Sequence, residues 1–285
     1  MSVGASIYKE LVYGGHLLAL GTASMAATVA FVIGRTPSLD LLFMAYLFSF
    51  GAYSINRAAD FDEDKVSHPD RTRYLEGRRS LLVAIAGGAF LVGYAIAIFR
   101  NLVFFAGLLV PLLLALAYSV GSSRVKGSLG ISRLKEGLFV KNVAISFGWS
   151  LIPILVGLYY LSLPVALLAL APFIFLRLMV NTIFFDQRDV EADRAAGVKT
   201  LPSELGISRS SRIIDTIDLL SGAYILLLVA GGVIPIFATF LAIFIPYSFA
   251  YRAYAGTGKH RDSLRDVAAD GEYILWGFVT YLGHL

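Results

Sequence analysis

Between Asn142 and Leu176 the chain carries no charged side chain for 35 residues. A helix needs about 20 apolar residues to cross a bilayer, so this run is too long for one span. It should break at Tyr159–Pro164, where Ser162 and Pro164 fit a turn and a helix start. The sixth span then runs from Leu163 to Phe185. Other charge-free runs are Leu11–Gly34, Leu41–Ile55, Ser80–Phe99 and Asn101–Ser123. Leu219–Tyr251 should break at Gly231-Gly232 and Pro235, and a short last span covers Gly271–Leu285. The expectation is an all-α bundle of nine transmembrane helices, forming one domain over residues 1–285.

Composition agrees. The 285 residues are 57% hydrophobic and 15% charged, against about 45–50% and 25% in soluble domains. The absence of cysteine excludes disulfides, thiolate nucleophiles, zinc–thiolate sites and iron–sulfur clusters. Four scattered histidines argue against a polyhistidine metal centre. The first ten residues lack the basic start of a signal peptide and suit a short interfacial helix.

Charge placement orients the bundle. Twenty-one Lys and Arg fall before span one or in the loops after spans two, four, six and eight. The opposite face has only Arg35 and Arg100, and Arg177 lies inside a span. Under the positive-inside rule the N-terminus and the basic loops face the cytoplasm. The net charge of +4 then reflects an anionic membrane leaflet and not nucleic acid.

Two acidic motifs follow spans two and six. The first reads Asn56-Arg-Ala-Ala-Asp60-Phe-Asp62-Glu63-Asp64, the second Asp186-Gln-Arg188-Asp189-Val-Glu191-Ala-Asp193. On a helix, Asn56, Asp60 and Asp64 share one face, as do Asp186, Asp189 and Asp193. Asp60 precedes Asp189 by 129 positions, and Asp64 precedes Asp193 by the same 129. Equal spacing suggests two four-helix pseudo-repeats plus one helix, with the motifs facing each other. Carboxylates this close repel, and more so at a low-dielectric boundary. Mg²⁺ resolves the repulsion, being commonly held by one or two carboxylates plus substrate phosphate. Two or more Mg²⁺ ions with a diphosphate between them are expected, nearby Arg and Lys contacting the remaining oxygens.

The paired motifs resemble the UbiA-type superfamily of intramembrane prenyltransferases. The family pattern Asn-x-x-x-Asp-x-x-x-Asp matches Asn56, Asp60 and Asp64. Its Asp-x-x-Asp-x-x-x-Asp, followed by Gly and Thr-Leu-Pro, matches Asp186, Asp189, Asp193, Gly197, Thr200, Leu201 and Pro202. His68-Pro69-Asp70-Arg71, Tyr118-Ser119 and Lys141-Asn142 match further landmarks. Many members carry Asp where this chain has Arg57. The resemblance implies transfer of a polyprenyl group from its diphosphate to a lipophilic acceptor.

On that resemblance, Asp60, Asp64, Asp189 and Asp193 are the expected catalytic residues, and with Asp186 they are the expected Mg²⁺ ligands. Asn56, Arg71, Tyr118, Lys141, Asn142, Arg177, Asn181, Asp186 and Arg188 are the expected substrate contacts. Arg177 and Asn181 are expected to line the pocket below Asp186, because a charge inside a span usually faces the bundle interior. Thr200-Leu-Pro202 is read as a helix cap and not as chemistry. An aromatic acceptor, as in quinone biosynthesis, is the first choice. Geranylgeranylglyceryl phosphate is the alternative, and haem, homogentisate or chlorophyll-precursor acceptors stay open. No obligate protein partner is evident. A cation transporter is the rival class, but it would want its carboxylates near the midplane.

Overall fold

The computed structural model describes residues 3–59, 61, 65, 69–119, 140–195, 199–255 and 262–285. Asp60, Asp62, Glu63, Asp64, His68 and Gly197 lie outside the described residues. Among the described residues the regular structure is entirely helical. α1 covers Val3–Tyr8 and runs into a π-helical turn, Lys9–Tyr13. Then come α2 (His16–Val32), α3 (Leu39–Ala59), α4 (Pro69–Leu75), α5 (Arg79–Arg100) and α6 (Leu102–Ser119). α7 (Val140–Ser150) and α8 (Ile152–Tyr159) precede α9 (Val165–Ala195). The short α10 (Leu201–Leu205) leads into α11 (Ile207–Ala230). A 3-10 segment, Ile236–Ile243, continues into α12 (Phe244–Ala255), and α13 (Asp262–His284) ends the chain.

Among the described residues six helical stretches are long and apolar enough to cross a membrane, or seven if the bent pair Ser6–Tyr13 and His16–Val32 counts as one span. The chain is an integral, multi-pass membrane protein. The expected breaks at Tyr159–Pro164 and at Gly231-Gly232 are present, as α8 ends at Tyr159 and α11 at Ala230. Other boundaries differ from expectation. The first long helix begins at His16, because the chain bends by 58° where Gly15 adopts φ 88°. The fifth span is two helices, with Pro153, which has no N–H to donate, in the first turn of the second. The last helix starts nine residues before Gly271 and takes in Asp266, Asp270 and Glu272.

α9 is the centre of the bundle. Two-thirds of its most apolar window is buried, against less than two-fifths in the other candidate spans. Its 31 residues extend about 46 Å at 1.5 Å per residue, longer than the roughly 30 Å hydrocarbon core. Asp186, Asp189 and Asp193 fall in the last turns of this length. α7, α8 and α11 pack on α9, and α13 packs on α2, so the first and last long helices are neighbours. That contact depends on small residues. Ser24 Oγ donates to the Ile274 carbonyl (2.8 Å) and accepts from the Gly277 N–H (3.2 Å). A Cβ on Gly277 would lie 2.2 Å from Ser24 Oγ.

Candidate active site at the end of the central helix

The second acidic motif occupies the last turns of α9, and its three aspartates each have a polar partner. Asp186 is 2% exposed. Its Oδ1 accepts from Lys141 Nζ at 2.8 Å and its Oδ2 from Asn142 Nδ2 at 2.7 Å. Both donors come from the first turn of α7, which packs along α9. Asp186 was expected to ligate metal; in this geometry both of its oxygens anchor the neighbouring helix. Lys141 Nζ is also 4.0 Å from Asp193 Oδ1, so one ammonium serves two carboxylates.

Asn142 is fully buried, and its orientation follows from Asp186. A carboxylate accepts only, so the amide NH₂ must face it and the amide oxygen must face away. That Oδ1 is buried without a hydrogen-bond partner, as is Ser146 Oγ one turn further along α7.

Asp193 Oδ2 accepts from Thr200 Oγ1 at 3.1 Å. Thr200 is also the N-cap of α10, in a reciprocal capping box with Ser203 and with Pro202 in the first turn. The Thr-Leu-Pro segment thus caps a helix as expected, and it also holds an acidic-motif side chain. Burial pushes the Asp193 carboxyl up to about 6; Asp186 and Asp189 add to the rise, while Lys141 and Thr200 oppose it.

Asp189 is paired with its neighbour in sequence. Arg188 Nε donates to Asp189 Oδ1 at 2.9 Å and Nη2 to Oδ2 at 3.4 Å. Arg188 Nη1 reaches Asp266 Oδ1 on α13, also at 2.9 Å. Asn181, one turn before Asp186, donates to Asp270 of α13 at 3.4 Å.

Arg177 has different surroundings from those expected. It is 1% exposed. Its Nε and Nη2 donate to Glu272 Oε1 at 3.1 and 2.6 Å, Nη1 donates to Asp218, and Nη2 also reaches the Phe244 carbonyl at 3.2 Å. Arg252 donates to the other Asp218 oxygen at 2.9 Å. One charge network therefore joins α9, α11, α12 and α13.

The described part of the first motif lies at the end of α3. Asn56 is half-buried there. Arg57 stacks 4.0 Å over the Tyr53 ring and donates to the carbonyls of Val12, at 2.9 Å, and Tyr13. Those carbonyls end the π-helical turn, where the backbone dipole favours a cation. Arg71 lies half-buried in α4, and Tyr118 is in the last turn of α6.

The sequence reading missed Asp266, Asp270 and Tyr8, whose hydroxyl donates to Asp266 Oδ2 at 3.1 Å. A signal was present for two of them: Asp262, Asp266 and Asp270 repeat the i, i+4, i+8 spacing of the first motif.

The chain is similar to known proteins in sequence and in fold. The chain is 28% identical over 203 residues to a digeranylgeranylglyceryl phosphate synthase of Methanoculleus marisnigri, covering 69% of this chain and 63% of that protein. It is 30% identical over 197 residues to the protein of the same name from Thermococcus sibiricus, covering 66% and 64%. The chain thus spans rather less than two-thirds of the length of these relatives. Its fold is similar to that of a UbiA homologue from Archaeoglobus fulgidus solved with GPP and Mg²⁺, at a TM-score of 0.67 and 16% identity, covering 95% of this chain and 99% of the other. The model of the UbiA prenyltransferase family matches residues 17–276, so the chain belongs to that family.

Proposed function

We propose that the protein transfers a polyprenyl group from its diphosphate to the free hydroxyl of geranylgeranylglyceryl phosphate, with Mg²⁺ as cofactor. The observation that carries this reading is the grouping at the end of α9. Carboxylates of one helix face are matched there by two cations, Lys141 and Arg188, at the edge of an apolar bundle. Such a site suits a ligand with a charged, metal-binding head and an apolar tail. The shared name of both sequence relatives favours this acceptor over the aromatic one expected first.

The donor set fits Mg²⁺. Among the described residues no three His, Asp or Glu side chains form a group that could hold an ion. Mg²⁺ commonly takes one or two carboxylates and fills its shell with water and phosphate. Asp189 and Asp193, one turn apart, supply that number, and Asp60 and Asp64 of the first motif are the second proposed pair. When bound there, Mg²⁺ neutralises the departing diphosphate and lowers the barrier to ionisation.

Asp186 holds Lys141 and Asn142 in place. Lys141, Arg188 and Arg71 contact the diphosphate oxygens, and Asn56 and Tyr118 are further substrate contacts. Asn142 accepts from a hydroxyl of the bound substrates, and Asn181 acts through Asp270. In the transfer the allylic C–O bond breaks and the diphosphate leaves with the electron pair. The acceptor oxygen forms the new ether bond and loses its proton. The bundle has nine spans in two pseudo-repeats plus one, with the site on the cytoplasmic side.

The test is incubation of the purified protein with geranylgeranyl diphosphate, Mg²⁺ and a panel of acceptors, followed by mass spectrometry. An ether-linked product from geranylgeranylglyceryl phosphate is expected. Prenylation of an aromatic acceptor alone would overturn the acceptor assignment, and no Mg²⁺-dependent loss of diphosphate with any acceptor would overturn the activity.

A further inference from the structure

Asp266 belongs to neither acidic motif, yet it touches the second one through Arg188. The Arg188 guanidinium is shared between two carboxylates, Asp189 on its own helix and Asp266 on α13. All three side chains are only 15–16% exposed. In this arrangement Arg188 faces both oxygens of Asp189, whose lone pairs a metal ion would need. A guanidinium and a divalent cation also repel, so sharing one carboxylate closely is costly for both.

We propose that Asp266, steadied by Tyr8, is a positioning residue that keeps Arg188 paired while Asp189 is given over to a divalent cation. The inference rests on the reading of Asp189 as a metal ligand. Moving Arg188 off Asp189 takes one anion away from a largely buried cation, which is costly, and Asp266 offsets that cost by holding Arg188 Nη1 throughout. With Asp266 in place, Arg188 gives up one carboxylate and keeps the other. The two oxygens of Asp266 are divided: Oδ1 takes Arg188 and Oδ2 takes the Tyr8 hydroxyl.

Tyr8 is itself held from the far side. Glu10, two residues on, accepts from the Tyr74 hydroxyl of α4 and lies 3.6 Å from Arg78. Arg57 secures the next turn through the Val12 and Tyr13 carbonyls. The N-terminal segment therefore links the region after the first motif to α13, and it helps fix where Asp266 stands.

The test is Mn²⁺ binding to the full-length protein in nanodiscs, read by electron paramagnetic resonance without donor. Wild type should bind Mn²⁺, and Asp266→Asn should bind it about tenfold more weakly, the usual scale for losing an outer-shell partner of a metal ligand. Tyr8→Phe, which alters no charge, should give a smaller loss in the same direction, and it carries the test should Asp266→Asn fail to fold. In an Arg188→Gln background, Asp266→Asn should have no further effect, because its action runs through Arg188. Mn²⁺ affinity in both single variants within twofold of wild type would overturn the inference. An undiminished loss in the Arg188→Gln background would do so too. A wild type that binds no Mn²⁺ would instead overturn the metal reading on which it rests.

Discussion

Lys141 Nζ lies 2.8 Å from Asp186 Oδ1, joining the first turn of α7 to a buried turn of α9. The two residues are 45 positions apart, and they stand on helices separated by α8 and a turn. Their pairing brings an ammonium to within 4.0 Å of Asp193 as well. The acidic end of α9 thus carries its own counter-ions, Lys141 and Arg188. On the proposed reading, a ligand that brings metal and diphosphate together would exchange partners with them, and neither set of charges need be left alone.

Lys141→Met should weaken donor binding by about tenfold or more, since a hydrogen bond to a charged group contributes about 1.5–3 kcal/mol. Titration with a non-hydrolysable prenyl diphosphate measures it. The melting temperature should also fall, because buried Asp186 keeps only Asn142. An unchanged donor affinity would remove Lys141 from the donor site.

Asp189→Ala and Asp64→Ala should each abolish prenyl-diphosphate turnover while the bundle stays folded. The hydrophobic core runs through residues such as Met25, Phe173 and Trp276, and Asp189 is not among them. Turnover against Mg²⁺ concentration, with circular dichroism as the folding control, checks the pair. Near-normal activity with ordinary Mg²⁺ dependence in either variant would show that its residue is not a ligand.

Much of this architecture could be read from charge-free runs, because a helix in lipid must be apolar along its length. The turn before α9 was legible from Ser162 and Pro164, and the break after α11 from Gly231 and Gly232. The start of α13 was not. Its first half carries Asp266, Asp270 and Glu272, each paired with a residue from a distant part of the chain. Hydropathy counts such residues as loop, since it cannot see the partner that makes burial tolerable. Asp186 shows the same limit at the site. Spacing placed it on one face with Asp189 and Asp193, but only the packing of α7 decides that its oxygens go to Lys141 and Asn142.

The α2–α13 contact should be intolerant of bulk at one glycine and indifferent at another on the same helix. A Cβ on Gly277 would overlap Ser24 Oγ, whereas one on Gly271 meets nothing within 4 Å. Gly277→Val should cost about 1–3 kcal/mol through overpacking, seen as a lower melting temperature in detergent. Gly271→Ala should be neutral or stabilising by about 0.5–1 kcal/mol, the helix-interior penalty of glycine relative to alanine. Equal melting temperatures for the two variants would show that the two helices are not packed this closely.

Arg177 should matter for folding and not for donor recognition. It precedes Asp186 by nine residues, about 13 Å along a regular helix, and its guanidinium is engaged by Asp218, Glu272 and the Phe244 carbonyl. Arg177→Met would remove the shared cation. Asp218 would keep Arg252, at 2.9 Å. Glu272, 2% exposed, would keep the Trp276 indole N–H at 3.2 Å but lose its charge partner. Breaking a buried pair from one side costs about 3–5 kcal/mol, so the variant should melt well below wild type. Glu272→Gln in that background removes the stranded charge and should recover part of the loss. The protein that remains folded should show an unchanged KM for the prenyl diphosphate. A variant with wild-type melting and a raised acceptor or donor KM would return Arg177 to the substrate pocket, where its position inside a span first placed it.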